Sequence, residues 1–247
     1  MQSRARVLGD VRSGSVQKLQ NYDSSASQSV STTLADKLSA AYAGAFASVL
    51  LKDAVRAEAA LPVARALAAG EPEALRVVDL LAVEVALLRG DAAGLARSGE
   101  LLDAIGRKQG GRDSRAVLML SAQRGLLPGA PATVQRQAID RLQTWVALHP
   151  ADRLAWQQLS LLWERQGEKL RSVRAGAESY AAIGDLTGAI DRLRSGQKLA
   201  RAGAGSPADY IEASVIDSRL RDLRAQRRRE FEEDREAGSR RPPPDDL

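Results

Sequence analysis

The residues able to do chemistry in this chain are few: one histidine, three tryptophans and a run of cations between Lys169 and Arg201. A single imidazole, His149, excludes any site that needs two, and the absence of cysteine excludes disulfides, thiolate zinc sites and cysteine catalysis. His149 stands in Leu148-His149-Pro150. Proline ends the helix there, so His149 cannot open a metal-binding helix motif and reads as a C-terminal cap rather than a general base. The cations are different in kind. Lys169, Arg171, Arg174, Arg192, Arg194, Lys198 and Arg201 are opposed locally by Glu168, Glu178, Asp185 and Asp191 alone. Such a surface can hold an acidic or C-terminal peptide segment by charge-assisted hydrogen bonds. The predicted peptide-binding set is Lys169, Arg171, Arg174, Tyr180, Arg192, Arg194 and Lys198, with the Tyr180 hydroxyl at the edge of the groove. Ordinary solvated helix faces are the competing reading. No catalytic, cofactor-binding or metal-ligating residue is assigned, and this chain is expected not to be an enzyme.

Two further groups invite a sharper reading. Trp156 and Trp163 lie seven positions apart, on one helical face, where core filling outweighs ligand stacking; Trp145 is read the same way. Arg227-Arg228-Arg229 resembles a phosphate contact, but Glu230-Phe231-Glu232-Glu233-Asp234-Arg235-Glu236 follows at once. Ion pairs along the helix fit that arrangement better. Between Asp217 and Leu247 there are nine Arg and nine acidic residues, so the most Arg-rich stretch is neutral. Net charge is +5 over 247 residues with the two signs interspersed, which argues against nucleic acid as the partner.

The elements that must position these residues are helices. The chain is 44% apolar and only 4% aromatic, with alanine and leucine prominent. That composition favours close-packed helices over sheets. Helical steps of three and four begin at Leu34 (Leu38, Tyr42, Ala45, Phe46, Val49, Leu50). The Ser/Thr end of the preceding low-complexity segment can cap this helix. A second helix spans about Asp53 to Ala69; Pro62 inside it either kinks it or marks its start. Others run from Glu73 to Arg89, from Gly90 towards Gly110-Gly111, over Ser114–Leu127 and over Thr133–Leu148. The last, Ala208–Glu236, has Ile211, Val215, Ile216, Leu220 and Leu223 as its apolar face, then runs out into mixed charge. The longest apolar run, Ala40–Leu51, is too short to span a bilayer, which takes roughly 20 residues. The N-terminus lacks the apolar core of a signal peptide.

Two Gly-acid turns, Gly167-Glu168 and Gly184-Asp185, stand seventeen positions apart and divide Ala151–Gly203 into three helical segments. Gly90-Asp91 repeats the second turn ninety-four residues earlier, with the same Gly-Asp-x-x-Gly spacing. This periodicity predicts an all-α fold, a right-handed α-solenoid of antiparallel, tetratricopeptide-like helix pairs, about ten helices in all. On the 34-residue repeat frame starting at Leu170, Val173 takes the large position, Gly176 and Ala177 the small ones, Tyr180 the aromatic one, then Ala189, Leu193 and Gly196; Arg201 stands where proline is usual. The expected organisation is residues 1–33 as an N-terminal helix remnant and Ser-rich linker, 34–223 as the solenoid, and 224–247 as a charged helix extension with a disordered tail.

From Trp145 to Leu223 the chain resembles the C-terminal tetratricopeptide domain of the bacterial β-barrel assembly-enhancing protease family. Trp156, Gly167, Arg174, Ala175, Glu178, Gly184, Asp185, Ala189, Ile190, Leu193 and the ending Ile216-Asp217-Ser218-Arg219-Leu220 carry the resemblance; Ser3–Leu8 resembles the family's passage from protease to repeats. Members are periplasmic zinc metalloproteases with an HExxH helix ahead of the repeats. This chain has no HExxH, so neither zinc ligands nor a catalytic Glu is carried over, and no cofactor is expected here. The resemblance implies a non-catalytic scaffold that docks a periplasmic metalloprotease or chaperone to outer-membrane protein assembly components or unfolded clients. The alternatives are a fragment of an active zinc metalloendopeptidase and a stand-alone cytoplasmic adaptor. The compartment follows the same division: periplasm by resemblance, cytoplasm if Met1 is the true start. Expected partners are protein or peptide segments, with no nucleic acid and no membrane-spanning segment.

Overall fold

Alanine-rich, β-branch-poor sequence forms helices throughout the computed structural model, which describes residues 2–12, 33–108, 114–203 and 207–239. The protein is all-α, with eleven helices and no strand among the described residues. They are α1 (Gln2–Arg12), α2 (Leu34–Leu50), α3 (Ala54–Leu67), α4 (Pro72–Arg89), α5 (Ala92–Gly106), α6 (Arg115–Leu126), α7 (Ala132–Leu148), α8 (Arg153–Arg165), α9 (Lys169–Ala181), α10 (Leu186–Gly203) and α11 (Pro207–Ser239). The Ser-rich segment expected to be a linker lies, up to Thr32, outside the described residues, as do the Gly110-Gly111 turn and the expected tail from Arg240.

Two compact units, residues 1–134 and 135–247, make up the chain. In the first, each helix packs on its sequence neighbour from α1 to α6, and α4 also touches α2 and α6. In the second, α8, α9, α10 and α11 follow one another in the same way, with α9 also touching α11. Within each unit this is the neighbour-on-neighbour packing of an α-solenoid. Apolar side chains one turn apart account for it. Val7, Tyr42, Phe46, Ala64, Val78 and Leu81 form the core around α1 to α4. Leu170, Ala177, Leu186, Ile190, Leu193, Ile216, Leu220 and Leu223 form that of α9 to α11. Each fully buried Leu or Ile stabilises the fold by about 1.5–3 kcal/mol.

Several helix ends have the chemistry the sequence suggested. Thr33 caps α2 reciprocally: its hydroxyl accepts from the Asp36 amide at 3.2 Å, and Asp36 accepts from the Thr33 amide at 3.2 Å. Helix α3 begins at Ala54 and runs on through Pro62 to Leu67, so Pro62 does not mark its start. Pro62 is exposed, leaving water free to satisfy the carbonyl that its missing N–H cannot reach.

The Gly-Asp-x-x-Gly similarity has one physical meaning at both places. Gly90 and Gly184 end α4 and precede α10 with φ of 66° and 78°, a region that penalises a Cβ. Asp91 Oδ1 accepts the Gly94 amide at 2.7 Å, and Asp185 Oδ1 accepts the Gly188 amide at 2.8 Å, opening the next helix. The second glycine gives room: a Cβ at Gly94 would stand 2.3 Å from the Ala86 carbonyl oxygen.

Candidate functional site on the α9 and α10 helix pair

The pair is antiparallel, as three contacts along its length show. Gly196 faces Val173, Gly176 faces Arg192, and Gly188 faces Tyr180. Gly176 also meets the hydroxyl of Ser160 from α8, so three helices converge at a residue without a side chain. The Ser160 hydroxyl donates to the Ser172 carbonyl at 2.8 Å, fixing α8 to α9 in a buried setting.

The seven predicted site residues do not form one open surface. Arg174 is half-buried, and its Nε donates to Glu212 of α11, a residue only 8% exposed. One turn further, Arg219 of α11 donates to both oxygens of Glu178 on α9, each at 2.7 Å. The hydrogen-bonded Glu178 carboxylate raises the Arg219 pKa above its ordinary value, against the opposing effect of burial. Arg174 therefore fastens α11 to α9, with its charge already matched. Arg171 lies over the Trp163 ring, 4.8 Å from its centroid, and 3.9 Å from Glu168. Arg194 pairs with Asp191 on its own helix at 2.9 Å, an exposed contact of little energetic weight.

The other cations remain available. Lys169, Arg192 and Lys198 are exposed and hold no carboxylate among the described residues. Lys169 borders a hollow of about 280 Å³ with Leu170, Leu199, Ala202 and Asp209. Arg192 lies along the α9–α10 seam beside Gly176, and half-exposed Tyr180 stands at its far end. From Lys169 to Tyr180 the seam is roughly 17 Å long at 1.5 Å per residue. Lys198 sits one turn from Arg194 on the exposed side of α10.

The three tryptophans make their contacts within the fold. Trp163 is buried. Trp156 Nε1 donates to the Pro150 carbonyl at 2.9 Å, and Trp145 Nε1 donates to Asp152 at 2.9 Å. His149 follows the last residue of α7, its ring centroid 4.0 Å from that of Trp145. Among the described residues no three His, Asp or Glu side chains gather as metal ligands. No helix among the described residues is long and apolar enough to cross a membrane.

The apolar face expected for α11 needs correction. Ile216, Leu220 and Leu223 are buried, but Ile211 is 68% and Val215 40% exposed. The buried stripe starts instead at Glu212, one turn before Ile216, because Arg174 waits there. An acidic residue in step with a buried apolar stripe is the signal that could have revealed it.

A second hollow was not legible in the sequence. It occupies about 450 Å³ between α3, α4 and α5, over Val78, Val85, Ala86 and Leu101. Arg65, Arg89 and Arg97 rim it, and each is paired: Arg65 with buried Asp79 at 2.7 Å, Arg89 with Asp91 at 2.9 Å and Glu58 at 3.2 Å, Arg97 with Glu100 at 2.8 Å. The rim is thus internally neutralised, unlike the α9–α10 seam. No family model matches the chain, and no curated protein matches it.

Proposed function

We propose that this chain is a non-catalytic protein-interaction scaffold whose α9–α10 seam holds an acidic segment of a partner protein. The observation that carries this reading is the pair of exposed cations, Lys169 and Arg192, which hold no carboxylate among the described residues while Arg174 and Arg194 beside them are matched. The seam offers two cations and the Tyr180 hydroxyl on rigid helices, so an acidic peptide meets donors already positioned. Following the resemblance, the partners would be outer-membrane assembly components or unfolded clients of a periplasmic protease or chaperone.

The test is a fluorescence-anisotropy titration with a labelled acidic peptide that ends in a free carboxylate. Lys169→Glu with Arg192→Glu should reduce its affinity at least tenfold while circular dichroism stays unchanged, and added salt should weaken wild-type binding. Binding that survives the double reversal overturns the proposal. Arg174 is unsuitable for this purpose, because reversing it also unfastens α11.

A further inference from the structure

Three side chains of the first unit enclose the guanidinium of Arg4. Its Nη2 donates to Glu84 Oε2 at 3.0 Å, and its Nη1 lies 2.9 Å from Glu84 Oε1. Nη1 also donates to the Tyr42 hydroxyl at 3.3 Å. The cation stands over the Phe46 ring, 4.2 Å from its centroid. Tyr42 and Phe46 lie one turn apart on α2, their ring centroids 6.3 Å apart. Carboxylate, hydroxyl and aromatic face make a cage fitted to a flat, two-pronged cation. A lysine ammonium is a point charge and cannot span both carboxylate oxygens while lying flat on the ring. Burial works against the charge on Arg4, yet its pKa stands above the ordinary arginine value because Glu84 accepts from it.

The cage stands on α2 and α4, whereas its occupant belongs to α1. Val7, three positions after Arg4, is the only buried side chain among those described in α1, and it joins the core that holds Tyr42 and Phe46. The Ser3 and Ser39 hydroxyls, 2.7 Å apart, add an exposed hydrogen bond. Eleven residues are too few to hold a helix by themselves in water, so α1 keeps its shape only while docked. It sits on α2 and α4 as a helical peptide sits in a groove, by one guanidinium and one apolar anchor. When α1 leaves, Glu84 loses the one cation it pairs with among the described residues. A largely buried carboxylate without its cation favours any segment that restores the contact.

We propose that the cage of Glu84, Tyr42 and Phe46 is an arginine-binding site that α1 fills as a tethered ligand. In exchange for α1 it accepts a short helix of another protein that presents an arginine and, three positions later, a β-branched apolar residue. The seated α1 defines that chemistry through Arg4 and Val7. Its tether gives α1 a high local concentration, so the partner helix binds in competition with it. The site lies wholly within the first unit and takes a cation, so it is independent of the acidic segment proposed for the α9–α10 seam.

The probe is a fluorescent peptide with the sequence from Gln2 to Arg12, blocked at both ends, titrated against the full chain. Arg4→Ala with Val7→Ala in the protein releases its own α1 and opens the site. The opened chain should bind the probe at least tenfold more tightly than wild type. Arg4→Lys in the probe should weaken that binding at least tenfold, as should Glu84→Gln added to the opened chain. An opened chain that binds no probe overturns the proposal. So does one that binds the lysine probe equally well, or is indifferent to Glu84→Gln. A measurement on wild type keeps the test independent of how the opened chain folds. Excess unlabelled peptide, added to isotope-labelled wild type, should move the NMR amide signals of α1 to their unfolded positions and leave those of α3 in place. Signals of α1 that do not respond overturn the exchange.

Discussion

Arg219 on α11 holds Glu178 on α9 through two parallel hydrogen bonds, both 2.7 Å long. Its companion pair, Arg174 to Glu212, has the opposite polarity: here the cation belongs to α9 and the acid to α11. Sliding one helix along the other separates both pairs and can bring like charges together. The crossed arrangement therefore fixes register as well as attachment. Arg219→Met should destabilise the protein by about 1–2 kcal/mol, since it leaves a largely buried carboxylate without its cation. The exchange Glu178→Arg with Arg219→Glu should recover part of that loss. Urea unfolding of the three variants reads both effects, and an exchange no better than the single change would show that register does not depend on the pair.

Glycine substitutions should separate turn conformation from close packing. Gly184→Ala meets open space but must hold a φ of 78°, and should cost about 1 kcal/mol. Gly94→Ala brings a Cβ to 2.3 Å from a backbone carbonyl, which cannot rotate away, and should cost more than Gly184→Ala. Thermal unfolding of both variants gives the order.

Asp152 does two things at once. One oxygen accepts the Ala155 amide at 3.2 Å and caps α8; the other accepts Trp145 Nε1 at 2.9 Å. Asp152→Ala should lose about 1–2 kcal/mol and shift the tryptophan emission, because an indole N–H loses its acceptor. Asp152→Asn keeps an acceptor for the cap and should cost less. Equal losses in both variants would contradict this division of roles.

Acid should act on the Asp91 turn later than on an ordinary aspartate. Arg89 first, then the Gly94 amide, hold the Asp91 carboxyl below its usual range. A carboxyl depressed in the folded state contributes stability above its unfolded pKa and loses it as pH falls through the folded one. The Asp91 contribution should therefore persist through mildly acid pH. Following the Gly94 amide by NMR during acid titration reads the midpoint, which should move up in Arg89→Gln. A midpoint unmoved by that change would show that Arg89 does not hold the carboxylate.

The helix pattern was readable because it is local. A helix needs apolar residues in steps of three and four, an acceptor at its start and glycine at its end, all within a few positions of one another. Thus Gly167, Gly184 and Asp185 place α8, α9 and α10, and alanine and leucine decide an all-α protein. Ionic partners are not local. Arg174 finds Glu212 and Glu178 finds Arg219 across some forty intervening residues, and nothing in the spacing of either sequence segment announces the match. The sequence could therefore name seven site residues around α9 and α10, but not distinguish Arg174, which fastens a helix, from Lys169 and Arg192, which face solvent. The same reason explains α11. Its apolar residues are visible in order, but which of them turns inward depends on the helix it packs against. Helix formation follows from neighbours in the chain, whereas the fate of each charge follows from neighbours in space.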